Sequence, residues 1–285
     1  MRCRYRENIY KCGEYMEIDI FPTFHKGGKS RRRAKYKPTS AMQRRLNQKK
    51  STHSLIRLLN ANFETGDTEI TLKYDDEHLP DFYEAAASDA VNFIRRVKRI
   101  RKKRGLPELR YVIAPGPGRF HFHIVMTGGL LRDELEKIWG KGSANTRRLE
   151  FDKNGIAGLA HYNSNQFDEL DWFDGEDLFS EYDVNFETGE IKEQKSKKKY
   201  RKKGARRWSA SKNLVRPECE SREGYISQKR VEELATVDSA SCEAFEKIYP
   251  GYSFSRCESN YNSENGGWYL HVRMRRRREK KGKRE

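Results

Sequence analysis

The sequence predicts an α+β protein: a central antiparallel sheet with helices mainly on one face, extended by a basic N-terminal arm and a C-terminal region. Three observations predict it. Through the middle of the 285-residue chain, hydrophobic periods run in the order strand, helix, strand, strand, helix, strand, helix. Residues 119–126 alternate between apolar and polar with a period of two. Hydrophobic residues make up 35% of the chain and charged residues another 35%, which confines a packed core to part of its length.

The elements follow in order. Residues 1–65 read as a basic arm with one strand and one helix. The strand runs from Tyr15 to Phe21 and meets Pro22, and a Gly- and Arg-rich link spans Gly27 to Arg33. Pro38-Thr39-Ser40 precedes a helical stretch to about Asn60, with Leu46, Leu55, Leu58 and Leu59 as its apolar members. Residues 66–167 read as the compact domain. Thr68 to Tyr74 is a strand with Ile70, Leu72 and Tyr74 on one face. Asp81 to Arg104 is a long helix, with Ala90, Phe93, Ile94, Val97 and Ile100 at helical spacing and Gly105 and Pro107 as its stop. Leu109 to Ala114 and Arg119 to Met126 form a hairpin about the turn Pro115-Gly-Pro-Gly118. A short helix over Arg132 to Trp139, a fourth strand over Arg147 to Phe151 and a helix over 155–166 complete an order that suits a ferredoxin-like sheet. Residues 168–285 read as a charged, partly disordered C-terminal region. It is acidic over Asp168 to Asp183, basic over Lys192 to Arg207, helical near 227–248, and nearly all charge from Arg273 to Glu285.

A formal net charge of +17, from 59 Lys and Arg against 42 Asp and Glu, points to a polyanionic partner. Nucleic acid fits better than a membrane surface. The basic runs lack the apolar face of an interfacial helix, and no apolar stretch approaches the ~18 residues of a spanning helix. Met1 to Arg6 lacks the apolar run of a signal peptide, so the expected location is cytoplasmic. Five widely spread cysteines suggest neither a disulfide framework nor a zinc knuckle.

Strand alternation sorts residues 119–126. Phe120, Phe122, Ile124 and Met126 face the helices; Arg119, His121, His123 and Val125 take the opposite, open face. Same-face neighbours on a strand stand roughly 7 Å apart at about 3.3 Å per residue, so the two imidazoles can converge on one metal ion. The bland alternative is a histidine pair that decorates a solvated face.

Arg119-Phe-His-Phe-His-Ile-Val-Met126 resembles the His-hydrophobic-His motif of HUH endonucleases, the enzymes that start rolling-circle replication and conjugative transfer. Ile70 to Tyr74 is similar to the family's first motif. Tyr10 to Pro22, Lys37 to Ser40, Leu59 to Phe63 and Arg206 to Leu214 resemble the replication initiators of phages and integrative or mobile elements of Gram-positive bacteria. The family's third motif is a nucleophilic tyrosine on the helix after the sheet, and Gly155 to Tyr162 fits its position. The resemblance implies that Tyr162 is the nucleophile. Position 166 is Gln, so the single-tyrosine class is implied; Asn165 stands at the usual lysine position.

The resemblance further implies that His121 and His123 hold Mg²⁺ or Mn²⁺. The strand before them reads Val112-Ile-Ala-Pro115 and offers no third ligand; His161, Asp75 and Asp76 are the candidates. The implied reaction is metal-dependent nicking of single-stranded or extruded origin DNA. It would leave a 5′-phosphotyrosine link and a free 3′-hydroxyl, with host helicase and polymerase as further partners. Arg119, Lys198, Lys199, Tyr200, Arg201, Lys202, Lys203, Arg206, Arg207 and Trp208 are the expected DNA contacts, through phosphates and through stacking on Tyr200 and Trp208. The alternatives are a catalytically degenerate DNA-binding module of the same fold, and a relaxase or transposase that uses the same chemistry.

Overall fold

The computed structural model describes residues 4–24, 41–81, 83–116, 119–152, 155–159, 182–184, 191–193, 208–263 and 266–277. In chain order the first elements are β1 (Arg4–Cys12), β2 (Tyr15–Thr23), α1 (Ala41–Asn62), β3 (Thr68–Lys73), α2 (Tyr83–Lys103), β4 (Tyr111–Pro115), β5 (His121–Met126), α3 (Arg132–Trp139) and β6 (Ala144–Arg148). They are followed by β7 (Tyr182–Val184), β8 (Ile191–Glu193), β9 (Ser209–Ala210), β10 (Cys219–Glu223), α4 (Gln228–Leu234), α5 (Ser239–Ile248), β11 (Tyr252–Asn262) and β12 (Gly267–Arg276). The protein is α+β, with two five-stranded antiparallel sheets in two compact units. One unit comprises residues 1–62, 151–157 and 215–285, the other 63–150 and 158–214.

In the second unit the strand order is β6-β3-β5-β4-β9. Ile70 and Leu72 of β3, Tyr111 and Ile113 of β4, and Phe122, Ile124 and Met126 of β5 share one face, as their alternation requires. α2 and α3 bury that face with Phe93, Ile94, Val97, Leu135 and Trp139. Here β3, α2, β4, β5 and α3 fall within two residues of the bounds read from sequence. The fourth strand does not: β6 runs over Ala144–Arg148, not 147–151. Ala144 opposite Leu72 carries its core contact, while the exposed Asn145, Arg147 and Arg148 belong to a sheet edge that hydrophobic pattern does not reveal. Residues 157–159 begin the expected helix over 155–166, and the rest of it lies outside the described residues.

The first unit is where sequence and structure part. Its sheet runs β10-β1-β2-β12-β11, so the supposed arm pairs with the supposed tail. The arm holds two strands, joined as a hairpin through Gly13 at φ +63°, where a Cβ would stand 2.8 Å from the Asn60 carbonyl oxygen. β2 runs past Pro22 because β12 leaves β2 at Ile20, so Pro22 has a ladder neighbour on one side only. β12 carries the chain through Arg273, which is 4% exposed rather than part of a solvated tail. Leu270, Val272 and Met274 of β12 join Met16, Ile18 and Ile20 of β2 under α4 and α5. The division at 65 and 167 read from sequence therefore differs from the two units found. No helix among the described residues is long and apolar enough to cross a membrane.

Candidate functional site

The second unit's sheet has a face turned away from α2 and α3, and His121, His123 and Val125 of β5 lie on it. Lys73 and Thr71 of β3 pair with His121 and His123 respectively, and Ala114 of β4 pairs with His123 from the other side. The two rings meet edge to face with centroids 5.0 Å apart. His121 Nδ1 lies 2.8 Å from the Arg119 carbonyl oxygen, so Nδ1–H donates and Nε2 carries the lone pair. His123 Nδ1 lies 3.3 Å from Thr71 Oγ1. With both Nδ1 atoms engaged, Nε2 is the nitrogen through which either ring would bind a metal.

This face is less open than alternation suggests. His123, Val125, Val112 and Ala114 are buried, and His121 is half-buried. The two valines and the alanine were the signal that its centre is covered. The turn entering β5 is shaped around His121: Gly116 N–H donates to the His121 carbonyl oxygen at 2.9 Å, and a Cβ at 116 would stand 1.9 Å from His121 Nε2. Toward the β6 edge, a cavity of about 820 Å³ is lined by Glu69, Thr71, Asn145, Arg147, Gly158 and Leu159. Arg147 and Glu69 form an ion pair on its wall.

The other expected site residues fall as follows. Asp75 Oδ1 accepts from the backbone N–H of His78 at 2.8 Å and lies 2.7 Å from His78 Nδ1, which lowers its pKa. Asp76 Oδ1 accepts from Arg119 Nη1 at 2.8 Å, and Arg119 Nη2 donates to the Tyr74 carbonyl oxygen, so Arg119 fastens the loop after β3. Among the described residues, neither aspartate forms a ligand cluster with the histidine pair. Trp208 is half-buried just before β9. His161, Tyr162, Asn165 and Lys198 to Arg207 lie outside the described residues.

A second constellation, in the first unit, escaped sequence reading. Glu17 and Asp19 of β2 and His271 and Arg273 of β12 share the sheet face opposite α4 and α5. Lys49, His53 and Arg57 of α1, spaced i, i+4, i+8, meet that face as one stripe. Arg57 donates to Glu17 Oε2 at 2.8 Å and to Asp19 Oδ2 at 2.7 Å, and lies over the Tyr10 ring. His53 stacks on His271 with ring centroids 4.0 Å apart. Burial, and then the neighbouring His271, hold the His53 pKa down at about 3. Burial alone would raise the Asp19 carboxyl, but the His271 hydrogen bond and the Arg57 charge hold it at about 2. Asp19, His53 and His271 each place one ligand atom within 4.8 Å of the others.

The chain matches no protein-family model, no curated protein and no solved structure.

Proposed function

We propose that the protein nicks single-stranded DNA by metal-dependent transfer of a phosphodiester to Tyr162, initiating rolling-circle replication of a mobile element, as its likeness to the HUH endonucleases implies. The observation that carries this reading is the His121–His123 pair: two imidazoles side by side on one sheet face, each anchored through Nδ1. The donor set fits a divalent ion, with two neutral nitrogens leaving the remaining positions to oxygen ligands. A bound Mg²⁺ or Mn²⁺ would neutralise the scissile phosphate and orient it for in-line displacement.

The chain's own residues supply the rest. Leu159, three positions before Tyr162, lines the cavity that Thr71 and Asn145 also line, so the segment leading to Tyr162 starts beside the histidine face. The Tyr162 phenolate oxygen attacks phosphorus. The bond from phosphorus to the 3′ oxygen breaks, and that oxygen takes up a proton to leave a 3′-hydroxyl. The strand remains joined to the protein as a 5′-phosphotyrosine. Lys73 pairs with His121 on the same face, where its exposed ammonium can offer the phosphate the positive charge that an asparagine at position 165 does not bring.

One observation favours the degenerate DNA-binding module: among the described residues, no third His, Cys, Asp or Glu clusters with the pair. Cleavage of labelled single strands tiled across the element's origin separates the readings. The nickase cuts one strand at one position with Mn²⁺ and stops with chelator. The binding module shifts the same strands, loses them as salt rises, and cuts none.

A further inference from the structure

The cavity of about 820 Å³ on the β6 side of the histidine face has no occupant in the nicking reaction. All its lining residues belong to the second unit, and its volume is that of pockets that enclose small organic groups. Register fixes its place relative to the histidine pair. Thr71 pairs with His123 on β5 and with Asn145 on β6, so these residues form one row across three strands. Neighbouring strands stand about 4.8 Å apart, which puts the Asn145 backbone roughly 10 Å from that of His123. Residues directly opposite on paired strands share a face, so Asn145 stands on the same side of the sheet as the histidines. Thr71 Oγ1 is engaged by His123 Nδ1 at 3.3 Å, which leaves Asn145 as the polar group of the row that faces the cavity without a task.

The cavity's chemistry suits a base better than a phosphate. Its charged lining residues are Glu69 and Glu150 against Arg147 and Arg148, so it carries no excess positive charge, and Arg147 is already ion-paired with Glu69. Leu149, 2% exposed, and the half-buried Leu159 give it an apolar wall on which a planar ring can lie. Asn145 is exposed; Arg132 Nη2 stands 3.4 Å from its Oδ1, and its Nδ2 makes no hydrogen bond among the described residues. A carboxamide offers a donor and an acceptor side by side, and the N6–H and N7 of adenine answer both. We infer that this cavity receives one unpaired base of the DNA strand, an adenine beside the scissile phosphate, and that Asn145 is the residue that reads it. The inference rests on the proposed nicking reaction for the path of the strand: with the phosphate at His121 and His123, the adjoining nucleotide lies along the Thr71 row. Taking the base into a pocket offsets the stacking it gives up.

The test uses the full chain and labelled single strands from the element's origin, each carrying one of the four bases at one position. Binding is measured in chelator, where no cutting occurs, and cleavage is measured with Mn²⁺. The expected result is a preference for adenine of about 10-fold or more at one position, which Asn145→Ala erases while preferences elsewhere stand. Asn145→Asp should move that position toward cytosine, whose N4–H₂ donates to a carboxylate; a residue that only packs gives no such reversal. Gly158→Leu fills the cavity from its wall, where a Cβ meets nothing within 4 Å, and should erase the same preference with Tm unchanged. A preference that follows Asn145 on strands that are never cut upholds the subsite and refutes nicking. Cutting whose base preferences ignore all three variants overturns the subsite and leaves nicking intact. No binding to any single strand overturns both.

Discussion

At residue scale, Gly116 shows how a site constrains a position that carries no chemistry. The His121 ring lies so close above it that a methyl group would stand 1.9 Å from Nε2, so the ring must move aside to accept one. Gly116→Ala is therefore expected to cut the nicking rate at least ~10-fold while folding survives, since a displacement of about 1 Å in a reacting group is costly. Single-turnover cleavage and circular dichroism on the same sample check it. Glu7 makes a separate, pH-dependent case. It is 1% exposed, accepts from Tyr249 O–H at 2.8 Å through Oε2, and leaves Oε1 without a hydrogen-bond partner. Burial raises its pKa above 4.5 against the opposing pull of Tyr249 and Arg222. A carboxyl with a raised folded pKa contributes fully below the unfolded value, and that contribution is lost as pH rises through the folded pKa. Glu7→Gln should therefore gain on wild type as pH climbs from about 4.5. Tm measured across that range checks it, and a difference that stayed flat with pH would contradict it.

The element scale explains what was legible in the sequence and what was not. His121 and His123 were legible because both lie on one strand, and a period of two fixes their common face without knowledge of any neighbour. Phe122, between them, faces the opposite way and is 1% exposed. Phe122→Ala is thus expected to cost about 3–5 kcal/mol of the second unit's stability in urea unfolding, where His121→Ala costs far less and removes cleavage. Asp19, His53 and His271 were not legible, because they come from β2, α1 and β12 and meet only when those elements pack. β12 was missed for a related reason. From Arg273 onward its composition looks like a solvated tail, and the groups that make burial of Arg273 tolerable are Glu17 and its neighbours, more than 250 positions earlier in the chain. Local pattern records what a residue is; it does not record which charge will stand opposite.

At the scale of the whole molecule, the two sheets belong to two units that draw differently on the sequence. The second unit is nearly continuous in sequence and carries the histidine pair, which is why reading elements in order worked there. The first unit is assembled from both ends of the chain, so a linear reading splits it into an arm and a tail. On the proposed reading the partner is nucleic acid, and with a net charge of +17 its binding should fall steeply with salt. Charge cannot say whether that partner is cut. The measurement that addresses this most directly is a covalent-adduct assay. The chain is mixed with labelled single strands from the origin and Mn²⁺, then run under denaturing conditions. The account predicts an SDS-resistant protein–DNA band that chelator, His121→Ala and Tyr162→Phe each abolish. Salt-sensitive binding with no such band on any strand would contradict it.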